Sequence, residues 1–372
     1  MEDTHNNFKS LGDIYRLIYQ NPNCSRQDIA NLLNISLPTL AQKLKALTEL
    51  NLIYNAGVSE STGGRKATIW KCTPDARYAI GLDITRNHLS IVMIDMAIHL
   101  IANKRLRLPF SETDEYFSTI KDEISEMIAL YIDTPDKLLG VGVSMPVIIG
   151  SDQMSITYAS VIDISANIYE KLAHYIDYPY LLFNDANCAG LAESWGHREP
   201  QPMVYLSLSS SVGGANMNDH NIYTGSNSKS SEFGHMKIVP NGKKCYCGQY
   251  GCLDSYCASN VLTDFTGGDI RKFFSELKTG KNKGFQNIFN EYMDYLAIAV
   301  NNLRMCYDCD VVLGGTVGAF MADYIDIFRQ KAIALNPFEN DPSYIRVCHY
   351  RTEASAVGSA IYYIDNFIQN FK

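Results

Sequence analysis

Three cysteines and a histidine constrain this chain more than anything else in it. The run Cys245-Tyr246-Cys247-Gly248-Gln249-Tyr250-Gly251-Cys252 holds a Cys-x-Cys pair with a third Cys five residues on, and His235 stands ten residues upstream of Cys245. Three thiols and one imidazole make the four-donor set of a tetrahedral structural zinc, which leaves no position open for catalysis. The spacing therefore predicts a structural Zn2+ on His235, Cys245, Cys247 and Cys252, with Gly242, Gly248 and Gly251 letting the chain turn tightly around it. The plainer alternative is three reduced cysteines beside a surface histidine.

The remaining cysteines fit the same picture. The chain has 10 Cys and opens Met1-Glu2-Asp3-Thr4-His5, acidic and polar, unlike a secretory signal. No apolar run approaches a bilayer-spanning length, so membrane partners are not expected and the cytoplasm is the expected compartment, where thiols stay reduced. Cys306 and Cys309 also form a Cys-x-x-Cys pair, read as packing residues between an apolar helix and the strand Val311-Val312-Leu313. With 46% apolar and 19% charged residues over 372 positions, the chain has material for two or three packing units.

The N-terminal segment reads as a DNA reader. Phe8, Leu11, Ile14, Tyr15 and Ile18 make one apolar helical stripe, ended by Asn21-Pro22-Asn23. Ser25, with Asp28 three residues later, caps a second helix whose buried side is expected to be Ile29, Leu32 and Leu33. Asn34 and Ile35 turn the chain, Ser36 caps a third helix with Pro38 in its first turn, and Leu40, Leu44 and Leu47 face inward. Strands at Leu52–Asn55 and Ala67–Lys71 flank the basic tip Ser61-Thr62-Gly63-Gly64-Arg65-Lys66. This is a winged helix-turn-helix. Opposite the buried leucines lie Pro38, Thr39, Gln42 and Lys45, with Lys43 at the flank, and these are expected to meet the major groove. Arg65 and Lys66 are expected on phosphate or in the minor groove. A three-helix protein-interaction module is the alternative, against which the Gly-Gly-Arg-Lys tip argues. The net charge of −8 hides an asymmetry, since the chain through Arg77 carries about nine Lys/Arg against seven Asp/Glu.

Beyond Pro74 the texture is α/β. Strands at Tyr78–Ile84, Leu89–Asp95 and His99–Leu108, a helix over Thr113–Ile132 and a strand at Leu139–Val143 are followed near residue 203 by a second opening of the same kind. That second meander runs through Met203–Leu208, Val212–Met217 and His220–Tyr223. A meander repeated once, each time with helices after it, predicts two related lobes with a ligand cleft between them.

Three segments then resemble the ROK family (repressor, open reading frame, kinase). Asn184-Asp185-Ala186-Asn187-Cys188-Ala189 is similar to its Asn-Asp-x-Asn-x-Ala, and Ser231-Glu232-Phe233-Gly234-His235 to its Gly-Glu-x-Gly-His. Cys245 to Asp254 is similar to its Cys-x-Cys-Gly-x-x-Gly-Cys-Leu-Glu. The resemblance implies a two-lobed, actin-like or sugar-kinase-like domain over residues 77–372, after a winged helix over 1–76. Lobe one would be about 77–184 plus the C-terminal helix, and lobe two about 185–353. It also implies a sugar bound by Asn184, Asp185, Glu232, His235 and Asp254, with one His235 nitrogen on zinc and the other toward a hydroxyl. Asp254 stands where the family usually has Glu, and Val147 follows Pro146 where Gly is typical.

Kinases and regulators share this family. Asp185 would be the base of a sugar kinase, but it can equally bind a hydroxyl. The phosphate loops separate the two. Where family kinases have Asp-x-Gly-Gly-Thr, this chain has Asp83-Ile84-Thr85-Arg86-Asn87, and their second glycine-rich loop is here Ser209-Ser210-Ser211-Val212-Gly213-Gly214-Ala215. Side chains thus stand where backbone amides should approach phosphates, although Leu313-Gly314-Gly315-Thr316 resembles the adenosine-side turn. The expectation is a non-enzymatic, sugar- or sugar-phosphate-responsive repressor of carbohydrate-utilisation genes, a homodimer or homotetramer on operator DNA. An ATP-dependent hexose or N-acetylhexosamine kinase with an appended DNA-binding domain is the alternative, and a regulator that no longer binds sugar is a third.

Overall fold

The computed structural model describes residues 10–58, 68–196 and 201–372. Phe8, Ala67 and the wing tip with Arg65 and Lys66 lie outside the described residues. The head begins with α1 (Leu11–Gln20), where Ser10 Oγ accepts from the Asp13 N–H while the Asp13 carboxylate accepts from the Ser10 N–H. The same reciprocal cap at Ser25 and Asp28 opens α2 (Arg26–Leu33), each such cap contributing about 1 kcal/mol. Asn34 ends α2 in the left-handed region at φ 54°, and Ser36 caps α3 (Leu37–Glu49). β1 (Ile53–Val58) and β2 (Thr68–Cys72) pair antiparallel as the wing. Ile14, Ile18, Ile29, Leu40 and Leu47 are fully buried among these elements. Leu32 is not buried but 63% exposed. On an eight-residue helix whose inner line runs through Ile29, Ala30 and Leu33, it falls off the edge of the stripe.

The first lobe is a sheet in the order β5-β4-β3-β6-β9. Its antiparallel meander is β3 (Tyr78–Ile84), β4 (Leu89–Asp95) and β5 (Leu100–Leu106). After α4 (Asp114–Tyr131) it adds the parallel strand β6 (Leu138–Met145). The hairpin β7 (Val147–Ile149) and β8 (Ile156–Ala159) and the short α5 (Ile168–Leu172) precede β9 (Tyr180–Asn184), parallel to β6. β3 and β4 are buried at every position because α4 covers one face and the C-terminal helix covers the other.

After α6 (Asp185–Trp195) the plan repeats. β10 (Met203–Leu208), β11 (Val212–Asn218) and β12 (Asn221–Ile222) form a second meander. α7 (Asp254–Cys257), α8 (Asn260–Thr263), α9 (Ile270–Thr279) and α10 (Lys283–Tyr307) follow, then β13 (Asp310–Gly314), α11 (Gly315–Gly318), α12 (Ile325–Ile333) and β14 (Ile345–Val347). The sheet order, β12-β11-β10-β13-β14, repeats that of the first lobe strand for strand, as the repeated meander predicted. Cys309 is buried just before β13, as expected of a packing residue, whereas Cys306 is exposed near the end of α10. Among the described residues no helix is long and apolar enough to cross a membrane.

α13 (Ala354–Asn370) closes the chain against α6, β3 and β6. Glu193 of α6, almost fully buried, accepts the N–H groups of His349 and Tyr350 just before α13, which ties the two helices at one end. At its other end α13 meets the head. Tyr15 packs edge-on to Phe367 and Phe371, and one hydrophobic cluster runs from Ile14 and Leu40 of the head into Ile364 and Ile368.

Candidate metal centre and ligand cleft

The His/Cys segment hangs between two buried anchors, Phe233 and Leu253, both in the core of the second lobe. Phe233–His235 make a single 3-10 turn that leaves His235 half-buried. Across the loop, the Cys245 N–H donates to Gln249 O at 2.7 Å and the Gly248 N–H to Cys245 O at 3.0 Å. Gly248 and Gly251 adopt φ of 85° and 76°, the left-handed region that side chains resist. At Gly251 an added Cβ would also lie 1.8 Å from Val239 O.

These turns bring His235, Cys245, Cys247 and Cys252 together, with one donor atom from each within 4.8 Å of the others. Cys247 Sγ lies 3.9 Å from Cys252 Sγ, and His235 Nδ1 lies 4.0 Å from Cys245 Sγ. A tetrahedral ion with bonds of ~2.3 Å to sulfur separates two sulfurs by about 3.8 Å, so the donor set fits an ion of that size. Burial pushes the Cys245 and Cys252 thiols up. The cluster can hold a metal ion. His235 Nε2, on the other side of the ring, lies 3.3 Å from the Tyr246 hydroxyl.

At the junction of the two lobes, β9 ends in Asn184 and α6 starts at Asp185. Asn184 caps that helix, its Oδ1 accepting from the Asn187 N–H at 2.9 Å while its Nδ2 donates to Val147 O at 3.0 Å. Both ends of its amide thus serve the backbone. Asp185 Oδ1 accepts from the Ala186 N–H at 2.8 Å. Desolvation pushes its carboxyl up to about 6, opposed by that hydrogen bond and reinforced by the charge of Glu232. Glu232 is raised by burial too, against the pull of His235. Asp185 and Glu232, 47 positions apart in sequence, therefore share one electrostatic field. Asp254 is buried, but its Oδ2 accepts from the Val212 N–H at 2.7 Å. That bond commits one oxygen to the turn end of the β10–β11 hairpin.

Two residues of this region stand outside the expected set. Asp83, on β3, is 5% exposed, and desolvation followed by the charge of Asp185 pushes it up to about 7. Ser144 Oγ donates to it at 3.2 Å. An aspartate inside the apolar strand Tyr78–Ile84 was a legible signal. Tyr246 gave none, being the unspecified position between two cysteines.

In the head, Gln42 and Lys45 are exposed on α3 and Lys43 is half-buried. Thr39 shares its hydroxyl with Ser36 Oγ at 2.8 Å, so the helix cap occupies a group expected at the groove.

Comparisons with known proteins follow this geometry. Residues 79–366 match the family model described as ROK family, and residues 9–54 match one described as winged helix-turn-helix DNA-binding. The xylose repressor of Bacillus subtilis strain 168 is 24% identical over 307 residues, covering 80% of this chain and 79% of that protein. The N-acetylglucosamine repressor of Escherichia coli O157:H7 is 24% identical over 252 residues, covering 67% of this chain and 62% of that protein. A crystal structure of a ROK family transcriptional regulator, a homologue of the E. coli MLC protein, superposes with a TM-score of 0.73 at 17% identity, covering 96% of this chain and 97% of that one. A ROK family glucokinase from Streptomyces griseus, solved with glucose and AMPPNP, gives 0.61 at 20% identity, covering 77% of this chain and 98% of the kinase. The regulator is matched over nearly the whole of both chains, whereas the kinase leaves about a quarter of this chain without a counterpart.

Proposed function

This chain belongs to the ROK family, and from that membership we propose that it is a sugar-responsive transcription regulator, a repressor of carbohydrate-utilisation genes that a sugar or sugar phosphate relieves. The observation that carries the reading is the winged helix-turn-helix joined to the ROK fold in one chain, a combination found also in a regulator superposed over nearly its full length. The division at residue 76, with the sugar domain over 77–372, follows from it. Gln42, Lys43 and Lys45, with Thr39 and the tip residues Arg65 and Lys66, are the DNA contacts of this proposal. Operator DNA is its partner, a homodimer or homotetramer its assembly, and the cytoplasm its compartment.

The phosphate loops support a regulator over a kinase. Thr85 Oγ1 accepts from the His88 N–H at 3.1 Å and donates to His88 O at 3.0 Å, filling the β3–β4 turn with its own side chain. Ser209 Oγ accepts from the Thr316 N–H at 3.2 Å, tying the β10–β11 turn to the Gly314-Gly315 turn. A hydroxyl from each of these two loops is thus engaged within the protein, where the family's kinases carry glycine.

In this reading the metal is a structural zinc held by His235, Cys245, Cys247 and Cys252. Zinc would supply positive charge to the thiolates and fix the aim of the His235 ring. Asn184, Asp185, Glu232, His235 and Asp254 form the sugar's surroundings, with Asn184 shaping the wall through Val147.

Selection of duplexes from a random library by the full-length protein, followed by titration with D-xylose, N-acetyl-D-glucosamine, D-glucose and their phosphates, tests the reading. An enriched inverted repeat released at least tenfold by one of them supports it. That release requires only ~1.4 kcal/mol of coupling. Recovery of no preferred sequence would sink it, and ATP-dependent phosphorylation of any of these sugars would move the chain to the kinases.

A further inference from the structure

The first helix of the head touches both lobes. Tyr15 and Tyr19 stand one turn apart on α1 and so share a face of it. Tyr15 meets Phe367 and Phe371, and Arg16 the carbonyls of Ile368 and Gln369, all at the end of α13. The Tyr19 ring lies instead 6.3 Å from that of Trp195, the last residue of α6. Trp195 is backed in turn by His220, between β11 and β12, with ring centroids 5.4 Å apart. Ser194 Oγ and His220 Nδ1 share a hydrogen bond of 2.9 Å that holds the imidazole on α6. α13 lies on β3, β4 and β6 of the first lobe, and α6 on β10, β11 and β12 of the second, so the seam between the two helices is the seam between the lobes. Where they cross, a Cβ added at Gly358 would lie 1.8 Å from Cys188 O. Trp195 is seven residues beyond Cys188, about 10 Å along the helix. A turn of ~10° at that crossing moves the Trp195 end by about 2 Å, enough to part rings that attract only within ~7 Å.

We propose that α1 is a gauge of the angle between the lobes, with Tyr19, Trp195 and His220 as its contact to the second. While the lobes keep the present arrangement, both anchors hold and the head has one orientation. When they turn, the Tyr19–Trp195 contact parts first, because one ring contact is weaker than two aromatic contacts and charged hydrogen bonds to α13. The head then follows the first lobe alone, and its DNA-binding surface changes direction relative to the second. That a sugar turns the lobes rests on the function proposed above, whereas the clamp does not, so its first test needs no ligand.

Full-length Tyr19→Leu removes the ring on the head, and His220→Asn removes its backing with a residue suited to the left-handed backbone there, φ 63°. Without ligand, amides of residues 11–20 should exchange hydrogen several-fold faster in both variants, with β3 and β10 as protected as in the parent. His220 stands outside the head, so unchanged exchange of α1 in His220→Asn overturns the clamp. The double variant should exchange no faster over 11–20 than Tyr19→Leu alone, since both changes cut one chain of contacts. Additive increases would mean that His220 acts by loosening the second lobe, and refute it. D-xylose, N-acetyl-D-glucosamine, D-glucose and their phosphates are then added to the parent. The one that releases the operator should also speed exchange over residues 11–20, and release with α1 equally protected sinks the gauge. If none releases it, the sugar reading fails and the exchange of the variants alone decides the clamp.

Discussion

The guanidinium of Arg16 donates to the carbonyl of Gln369 at 2.8 Å, joining the first helix of the DNA-binding head to the last turn of the chain. The same nitrogen reaches Ile368 O at 3.3 Å and Phe371 O at 3.4 Å, and Asp13 holds the group from behind at 2.7 Å. The carbonyls at a helix C-terminus lack partners within the helix, and a cation there also suits the helix dipole. α13 carries this contact to β3, β6 and α6, the helix that begins at Asp185. The head and the α6 helix that begins at Asp185 are thus connected through packed helices.

Arg16→Ala should therefore loosen the head while sparing the sheets. Losing charged hydrogen bonds at a partly exposed site costs about 1–2 kcal/mol. Hydrogen exchange should rise in α1 and in residues 366–371, with β3 and β10 unchanged. DNA release by sugar should also become weaker. Equal protection of α1 in parent and variant would show that the hydrophobic contacts of Tyr15 suffice alone.

Removing the metal should cost both fold and ligand. Elemental analysis is expected to find about one zinc per chain, lost in Cys252→Ser, with ligand affinity falling roughly 10- to 100-fold because His235 loses its aim. A chelator should lower the melting temperature of the parent and leave that of Cys252→Ser unmoved. A parent free of metal and still fully stable would refute the centre.

Asp83 gives a pH prediction with a definite sign. Its folded value near 7 lies above the ordinary 3.8, because burial and then the Asp185 charge oppose ionisation. A raised carboxyl contributes stability below its unfolded value and loses that contribution as pH rises through the folded value. Asp83→Asn should thus have little effect at pH 4 and stabilise by up to about 4 kcal/mol at pH 8. The difference between variant and parent, followed by denaturant titration from pH 4 to 8, isolates this group from other acids. A difference flat with pH would mean that Asp83 ionises freely.

Local chemistry was readable in the sequence wherever neighbours in the chain decide it. The caps at Ser25 and Ser36, the strand Tyr78–Ile84 and the repeated meander all rest on short-range rules of capping and alternation. The metal cluster was readable too, since turns within one loop assemble it. What failed to show depends on distant partners. Nothing near Arg16 announces a carbonyl 353 positions away. Asp254 looked like a ligand residue because its motif is intact, yet its carboxylate takes the Val212 N–H. Leu32 looked buried because it is apolar, and one helical position decided otherwise.

The recognition helix allows a test that separates reading from holding. Gln42 is exposed on α3 with no intramolecular hydrogen bond among the described residues, and its amide can pair with a base edge. Lys45 is 78% exposed at its side chain, and its 3.7 Å approach to Glu49 is too loose and too solvated to hold it from a phosphate. Gln42→Ala should therefore cost about 1–3 kcal/mol on the selected operator and relax preference at one base pair, with little loss on random DNA. Lys45→Ala should weaken operator and random DNA alike and lower the salt slope of binding by about one. Thr39→Ser keeps the hydroxyl shared with Ser36 and should bind as the parent does, whereas Thr39→Val should lower head stability and affinity together. Fluorescence anisotropy on both duplexes at two or more salt concentrations distinguishes the three. If Gln42→Ala and Lys45→Ala lose affinity in the same ratio on every sequence, α3 only grips the backbone and the bases are read elsewhere.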